Sequence, residues 1–392
     1  MILFLRICTT LSWFFILSAA FGSLYQLLGA FAVRRFATQP LPKPRERPPV
    51  TVLKPLCGDE SGLYQNLLSF CELDYPCVQI VCGVRKADDP AIAVVHKLQA
   101  DKPNVDITLV SNPTLHGTNY KVSNLINMMS AAKHEILVMS DSDMRVESNY
   151  LNAVIGTLQS PGAGLATCLY IGLPTSGLWS AIGAAGINFW FLPSATVSKL
   201  LGGKNGCYGA TIALRRETLD GLGGFAAMKD QLADDYALGA RVEEGGEDIV
   251  VVPYFPATIV NEPSFSALFQ HELRWARTIR NTAPAGFAGS AVTHPVPLAL
   301  LAVIFGSVAG LPWPMLIAIL ALSGVCRLAL ASAIVGALSA PRPPWWLFFV
   351  RDVLSLVILV VAYFGRSVSW RNSAFRVDSV GALSEETDGI KP

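Results

Sequence analysis

The stretch Ile136-Leu137-Val138-Met139-Ser140-Asp141-Ser142-Asp143 decides how this chain is read. A short apolar run of this kind has the length of a buried strand. It runs directly into Asp-x-Asp, which leaves two carboxylates at the rim of a sheet, on one side of an extended turn. Hard divalent cations favour such oxygen ligands, and magnesium typically takes one or two carboxylates together with substrate phosphates. A metal held there would neutralise a departing diphosphate. Asp-x-Asp alone is common; its position after a buried strand is what gives it weight.

Working outward, strand and helix patterns alternate. Val50 to Lys54 reads as a strand, ended by Pro55. Glu60 to Leu73 has helical spacing, with Leu63, Leu67, Leu68 and Phe70 apolar. Val78 to Val84 is a second strand, and Pro90 to Ala100 a helix with its proline in the tolerated first turn. Val105 to Val110 is a third strand, Asn119 to Ala132 a helix, and Ile136 to Met139 the fourth strand. This alternation predicts an α/β domain whose parallel sheet is covered on both faces, with ligands at the carboxyl ends of the strands.

Three further stations fall near those ends or beyond them. Asp88-Asp89-Pro90 suits either a carboxylate contacting a nucleoside or a helix N-cap. Asp234-Asp235-Tyr236, after Gly223-Gly224-Phe225, offers a carboxylate base for a hydroxyl nucleophile, which needs one because its own pKa lies far above neutrality. Its plainer reading is a pair of first-turn helix acids. His271-Glu272-Leu273-Arg274-Trp275 lies in an amphipathic helix from about Phe265 to Arg280. There Arg274, Arg277 and Arg280 form a basic stripe fit for a diphosphate, for anionic lipid headgroups, or simply for solvent.

Composition places part of the chain in lipid. Of 392 residues, 52% are hydrophobic and 15% charged, against about 25% charged in soluble domains. A net charge of +1 gives no basic field for nucleic acid. The eight cysteines form no CxxC pair and no zinc-spaced cluster, as expected of reduced thiols. Leu11 to Val33 carries no charge and is long enough to span a bilayer. Arg34, Arg35, Lys43, Arg45 and Arg47 follow it and put that flank in the cytoplasm. A cleaved signal peptide would want its charge before the apolar run. Pro297 to Ala340 fits two turned apolar segments, and Trp345 to Phe364 a third, interrupted by Arg351 and Asp352, which could pair or sit at the interface. Arg366, Arg371 and Arg376 argue for a cytoplasmic C-terminus, three C-terminal spans for the opposite. Leu178 to Leu201 is also apolar, but motifs before and after it must share one side of the membrane, so it reads as an interfacial or buried helix, broken at Pro193.

In this order, the stations resemble inverting glycosyltransferases with a GT-A fold, whose ordered set is D, D-x-D, [ED]-D and [QR]-x-x-R-W. The stretches LKPLCGDE, NLLSFCELDYP, DDPAIAVVHKL, GTNYKVSNLIN, DSDMRV, GGF…LADDY and HELRWAR are similar to glycosyltransferase family 21, the ceramide glucosyltransferases, from about Val50 to Arg280. HGTNYKVSNLIN and HELRWARTIR resemble its bacterial, hopanoid-biosynthesis-associated branch.

The resemblance implies a Rossmann-like nucleotide-diphospho-sugar transferase domain between N- and C-terminal transmembrane helices: an anchor over 1–36, a cytoplasmic catalytic domain with interfacial helices over 37–290, and a membrane domain with a short tail over 291–392. It implies a multi-pass protein of the bacterial inner membrane. Asp89 would sit by the uridine of a UDP-sugar, and Asp141 on the donor side with Asp143 as ligand of a divalent metal, Mg2+ or Mn2+. Asp235 would take the acceptor proton. Arg274 and Trp275 would line the donor diphosphate, with Asp234 and His271 on the acceptor or diphosphate side. His271 stands where the family has Gln or Arg. Lys121 and Asn124 match positions expected to contact the donor. The implied reaction is a hexosyl transfer to a membrane lipid: N-acetylglucosamine from UDP-N-acetylglucosamine to bacteriohopanetetrol or, as the alternative, glucose from UDP-glucose to ceramide. A membrane scaffold with a degenerate transferase domain is the reading from another class.

Overall fold

The computed structural model describes residues 1–58 and 60–365, and beyond them the backbone of three short strands. The side chains of Arg366, Arg371 and Arg376, invoked for the side of the C-terminus, lie outside the described residues. The chain opens with α1 (Ile2–Ala37) and runs through β1 (Val50–Pro55), α2 (Leu63–Cys71), β2 (Val78–Val84), α3 (Ala91–Asp101), β3 (Asp106–Ser111), α4 (Tyr120–Met128), β4 (Ile136–Met139), β5 (Met144–Arg145), α5 (Tyr150–Leu158), β6 (Ala163–Cys168) and β7 (Ile171–Pro174). A helical segment follows: α6 (Gly177–Gly186), a π-helical turn (Ile187–Phe191) and α7 (Leu192–Leu200). Then come β8 (Ile212–Arg215), α8 (Arg216–Gly221), α9 (Asp234–Glu244), β9 (Asp248–Val252), β10 (Ala257–Val260), α10 (Phe265–Thr282), α11 (Pro284–Gly289), α12 (Pro295–Val308), α13 (Trp313–Leu338) and α14 (Trp345–Ala362). The strands β11 (Ser367–Trp370), β12 (Ser373–Val377) and β13 (Leu383–Glu385) form a small antiparallel sheet.

These elements divide into two compact units. The α/β unit comprises Gln39–Thr175, Lys204–Asn261 and Ser367–Pro392. Its seven-stranded sheet has the order β3-β2-β1-β4-β8-β6-β9. The first four strands are mutually parallel, as the alternating pattern requires. The sheet is mixed rather than wholly parallel, because β8 runs antiparallel to both β4 and β6. The connection from β4 to β8 is not a single crossover helix, so the rule that makes βαβ units parallel does not act on it.

Side chains alternate across this sheet with the period of two that a strand imposes. Val52, Ile80, Cys82, Val138 and Ala213 face one core with Leu67, Phe70, Val95 and Val154. Leu53, Val81, Leu137, Met139 and Leu214 face the other with Leu125, Met128 and Leu238. Both faces are thus covered, and buried polar residues within the strands are paired, as Thr51 Oγ1 donates to Gln79 Oε1 at 2.9 Å between β1 and β2. A second, three-stranded sheet, β5-β10-β7, pairs β5 antiparallel and β7 parallel to β10.

The apolar unit comprises Met1–Thr38, Ser176–Gly203 and Glu262–Arg366. α1, α13 and α14 are each long and apolar enough to cross a bilayer, and Pro284–Thr293 with Pro295–Val308, bent by 67°, would make a fourth span if the pair acts as one. Ile16 and Ala19 of α1 pack on Leu298, Ala299 and Ala302 of α12 and on Leu316 and Ile319 of α13. Small residues at these contacts let the helix backbones approach, the arrangement that helix packing in lipid favours.

Two expectations are corrected in this unit. Pro193 does not break the helix; the register is instead shifted just before it by the π-helical turn. Proline's missing N–H then falls where the α-helical ladder is already interrupted. Arg351 and Asp352 do not pair with each other. Adjacent helical residues point about 100° apart, so Arg351 bonds Glu272 of α10 while Asp352 meets Arg327 of α13 at 2.7 Å. Arg327, 1% exposed, also donates to the Phe189 carbonyl in the π-helical turn at 2.7 Å.

Breaking one member of a buried ion pair strands the other. Asp352→Ala should therefore destabilise the protein by about 3–5 kcal/mol, while Arg327→Leu/Asp352→Leu loses clearly less. Thermal unfolding in nanodiscs checks this; equal losses in the two variants would refute it.

Candidate active site

β4 delivers the Asp-x-Asp turn to the carboxyl rim of the sheet. Ser140 N–H donates to the Leu53 carbonyl of β1 at 3.1 Å, extending the parallel ladder to the turn itself. Lys54, at the end of β1, is wholly buried and donates to Ser140 Oγ at 3.3 Å and to the Asp141 carbonyl. Its ammonium nitrogen lies over the Phe70 ring, 4.0 Å from the centroid. Burial pulls its pKa down to about 8, against the opposing pull of Asp143 and Asp141. Asn66 Nδ2 donates to the Ser142 carbonyl at 3.3 Å. The turn's backbone is therefore fixed from β1 and α2 before any ligand arrives.

Its two carboxylates sit differently. Asp143 Oδ2 accepts from Thr258 Oγ1 of β10 at 2.7 Å, and its carbonyl accepts from Ile259 N–H at 2.9 Å. Burial, then the neighbouring Asp141, raise its pKa above the ordinary carboxylate range. Asp141 Oδ1 meets Lys121 Nζ of α4 at 2.7 Å. Two close carboxylate groups, one of them destabilised as an anion, form a donor set suited to a divalent cation. Among the described residues no group of three or more His, Cys, Asp or Glu side chains makes a closed cage. A metal here would complete its shell with phosphate and water oxygens.

Lys121 also reaches Asp234 Oδ2, at 3.6 Å, at the start of α9. Burial works against its charge, but Asp141, Asp234 and Asp235 together outweigh it and hold the ammonium above the usual lysine range. The approach of α4 to the Asp234-Asp235 station is built locally. Asn119 caps α4 by accepting from Val122 N–H at 3.0 Å, and its amide donates to the Gln231 carbonyl at 2.8 Å. Thr118 N–H donates to Asp230 Oδ1 at 2.9 Å.

Asp235 lies in the first turn of α9. Its Oδ2 accepts from Gly209 N–H at 3.0 Å and its Oδ1 from Tyr236 N–H at 2.8 Å. A Cβ on residue 209 would stand 3.2 Å from Oδ2, so glycine gives the carboxylate its close approach to the backbone. Burial, followed by the charge of Asp234, pushes the Asp235 pKa up to about 6.

Asp89, 7% exposed, accepts from Gly58 N–H at 2.9 and 3.1 Å and from Ala91 N–H at 3.0 Å. It thus starts α3 and also ties down the loop after β1, whereas Asp88 is exposed. Asn124, expected at the donor, instead donates to the Gly83 carbonyl at 2.8 Å and clamps α4 onto β2.

His271, Arg274 and Trp275 lie on α10 of the apolar unit. His271 Nδ1 and Glu262 Oε1 are 2.7 Å apart, and the imidazole packs edge-on against Trp275. The basic stripe is not all available for anions. Arg277 donates to the Phe364 carbonyl at 2.8 Å and Arg280 to the Ala362 carbonyl, so both cap the end of α14.

Several participants were not foreseen. Lys54 had a signal, a lysine closing an apolar strand. Thr258, Gly209 and Tyr170 had none. Tyr170 is half-buried where desolvation, followed by Asp235, Asp143 and Asp141, opposes its ionisation, and its hydroxyl stays protonated.

Lys121→Met should cost about 1–2 kcal/mol at pH 8, between the values for exposed and buried pairs. Lys121 holds down the folded-state pKa of Asp235, which would rise further without the cation. The penalty is therefore present at high pH and shrinks as pH falls through about 6, where Asp235 takes up its proton, which melting curves against pH would record.

A profile of "Glycosyl transferase family 21" matches residues 13–383. Ceramide glucosyltransferase 3 of Caenorhabditis elegans is 24% identical over 236 residues, 59% of this chain and 50% of that protein. The ceramide glucosyltransferase of Komagataella phaffii is 31% identical over 147 residues, 36% of this chain and 28% of that protein. The matched region therefore spans half or less of either relative. A mannosyltransferase of Pyrobaculum calidifontis, solved in complex with GDP-Man and Mn2+, superposes with a TM-score of 0.59 at 20% identity, over 90% of this chain and 99% of that one. That likeness shows a shared fold. With a profile match over nearly its whole length, this chain belongs to glycosyl transferase family 21.

Proposed function

We propose that this protein is a membrane-embedded, inverting glycosyltransferase that moves a sugar from a UDP-sugar to a lipid hydroxyl at the cytoplasmic face of a bacterial inner membrane. One observation carries the reading. The Lys121 ammonium lies between Asp141 of the Asp-x-Asp turn and Asp234 of the next station, so groups suited to a diphosphate and a group suited to proton abstraction share one rim.

Asp235 is the base in this proposal. Its pKa of about 6 lies near neutral operating conditions, where a base is both deprotonated and able to accept a proton. Gly209 N–H holds one carboxylate oxygen in place. The lipid hydroxyl gives its proton to Asp235 as its oxygen attacks the anomeric carbon. The bond from that carbon to the diphosphate breaks on the opposite face, its electron pair leaving with UDP, so configuration inverts. Asp141 and Asp143 would hold a divalent metal, Mg2+ or Mn2+, whose charge offsets that of the diphosphate. Lys121 adds a fixed positive charge beside it. Asp89 is assigned to the uridine side, Arg274 and Trp275 to the diphosphate, and Asp234 and His271 to the acceptor side. The GDP-Man and Mn2+ bound by the Pyrobaculum protein support a nucleotide-sugar and metal here.

The donor and acceptor follow from two lines. The resemblance to the bacterial branch supports N-acetylglucosamine transfer from UDP-N-acetylglucosamine to bacteriohopanetetrol. The names of the Caenorhabditis and Komagataella relatives support glucose transfer to ceramide. Both need the same base and the same leaving group. Transfer from a panel of UDP-sugars to defined lipids, with products identified by mass spectrometry, separates them; no glycolipid from any pair would refute the proposal and favour a non-catalytic scaffold.

Asp235→Asn should lower transfer by about 10²–10⁴-fold, the usual worth of a general base, while UDP affinity measured by calorimetry changes little. Transfer should fall as pH drops through about 6, because Asp235 becomes protonated there. Asp234→Asn removes a charge that raises that pKa, so the acid limb should move to lower pH. An unmoved limb would show that another group sets it.

A further inference from the structure

Glu262 lies just ahead of α10, and only 8% of its side chain is exposed, against 39% for His271. Its Oε1 is 2.7 Å from His271 Nδ1. A carboxylate offers only acceptors, so Nδ1 carries the hydrogen and donates. Nε2 is then the remaining polar atom of the ring, and among the described residues it has no partner. The ring meets Trp275 edge-on, with centroids 4.5 Å apart and planes at 68°. His271 and Trp275 stand one turn apart on the same face of α10. Leu273 and Ala276 pack instead on Ile358, Leu359 and Ala362 of α14. Starting α10 does not require the Glu262 side chain. Ser264 caps that helix, accepting from Ala267 N–H at 3.1 Å. The Glu262 backbone is pinned separately, its N–H donating to Ser180 Oγ of α6 at 3.0 Å. Taking a carboxylate out of water is costly unless it is paired, and what this pairing gains is a fixed imidazole.

We propose that Glu262 is a positioning residue of the transfer site. It holds His271 by Nδ1, sets the ring against Trp275 and keeps Nε2 for the substrate. The proposal rests on the reading above that puts His271 on the acceptor side. An imidazole has two nitrogens and two neutral tautomers, and a carboxylate on one nitrogen decides which of them is left for other partners. Without Glu262 the ring could turn over or exchange its tautomer, and the same atom would not meet each incoming substrate. Glu262 itself, buried ahead of the helix, acts only through His271.

The test uses the full chain in nanodiscs, isotope-labelled on the histidine nitrogens, at about pH 8, where an unconstrained imidazole is neutral. Solid-state NMR reports which nitrogen carries hydrogen, and the His271 signals are those lost in His271→Ala. Nδ1 should be protonated in the wild type and in Glu262→Gln, which keeps an acceptor oxygen. In Glu262→Ala the Nε2–H form that free imidazole favours should return. Glu262→Ala should lower kcat/KM for the lipid about tenfold, the effect of losing one hydrogen bond to a charged group. Glu262→Gln should recover most of that, and UDP affinity measured by calorimetry should stay unchanged in both. In a His271→Ala background, Glu262→Ala should cost nothing further. A bare Nδ1 in the wild type overturns the proposal. So does an equal loss in both backgrounds, the mark of a purely structural tie. Either result in a protein that does glycosylate lipid sinks only the role of Glu262. A wild type that transfers sugar to no lipid sinks the transferase reading and this site with it.

Discussion

The α/β unit has to keep four carboxylates, Asp141, Asp143, Asp234 and Asp235, at one edge of a sheet whose interior is otherwise apolar, and the Lys121 ammonium is what makes this tolerable. It is shared between Asp141 and Asp234, while Lys54 approaches the same turn from beneath. Neither cation cancels the acidic cluster. Asp143 and Asp235 both keep raised pKa values, because burial and a neighbouring carboxylate outweigh the cations for each. In the proposed reaction the residual negative field would attract a divalent metal, and the raised carboxylate of Asp235 would take a proton near neutrality. A site fully neutralised by its own side chains would do neither.

The same problem recurs in the apolar unit and is solved by pairing. Arg327 and Asp352 meet each other, and Arg351 meets Glu272, on the helix that carries His271, Arg274 and Trp275. Gly186 makes room for the Arg351 guanidinium; a Cβ there would come within 2.5 Å of it. The π-helical turn offers the Phe189 carbonyl to Arg327. Ionisable groups in an apolar bundle are costly unless partnered. Glu272, which the motif alone leaves without a role, gains one as the tie between α10 and α14.

Much of the fold was legible because its signals are local. The four apolar runs became β1 to β4, and Ile136–Met139 is bounded as expected. The apolar segments became helices, although α1 extends to Ile2–Ala37, beyond its apolar stretch. The antiparallel β8 was not legible, since strand direction is set by the path of the chain between strands and not by the strand's own residues. The same limit hid the exchange of partners by Arg351 and Asp352 and the capping of α14 by Arg277 and Arg280. Side-chain pairing is decided by which helix packs opposite, and one sequence does not show that.

By itself, then, the sequence determined which residues carry charge at the ends of buried strands, where long apolar helices fall, and which ordered motifs the chain shares with a family. These are properties of composition and period, and they survive without knowledge of neighbours. Only the tertiary structure decided that Lys121 lies between two acidic stations more than ninety positions apart, that Asp235 is held by Gly209 N–H, and that Asn124 is spent on Gly83. Each depends on distance through space, and electrostatic energy and desolvation respond to that distance and not to separation along the chain.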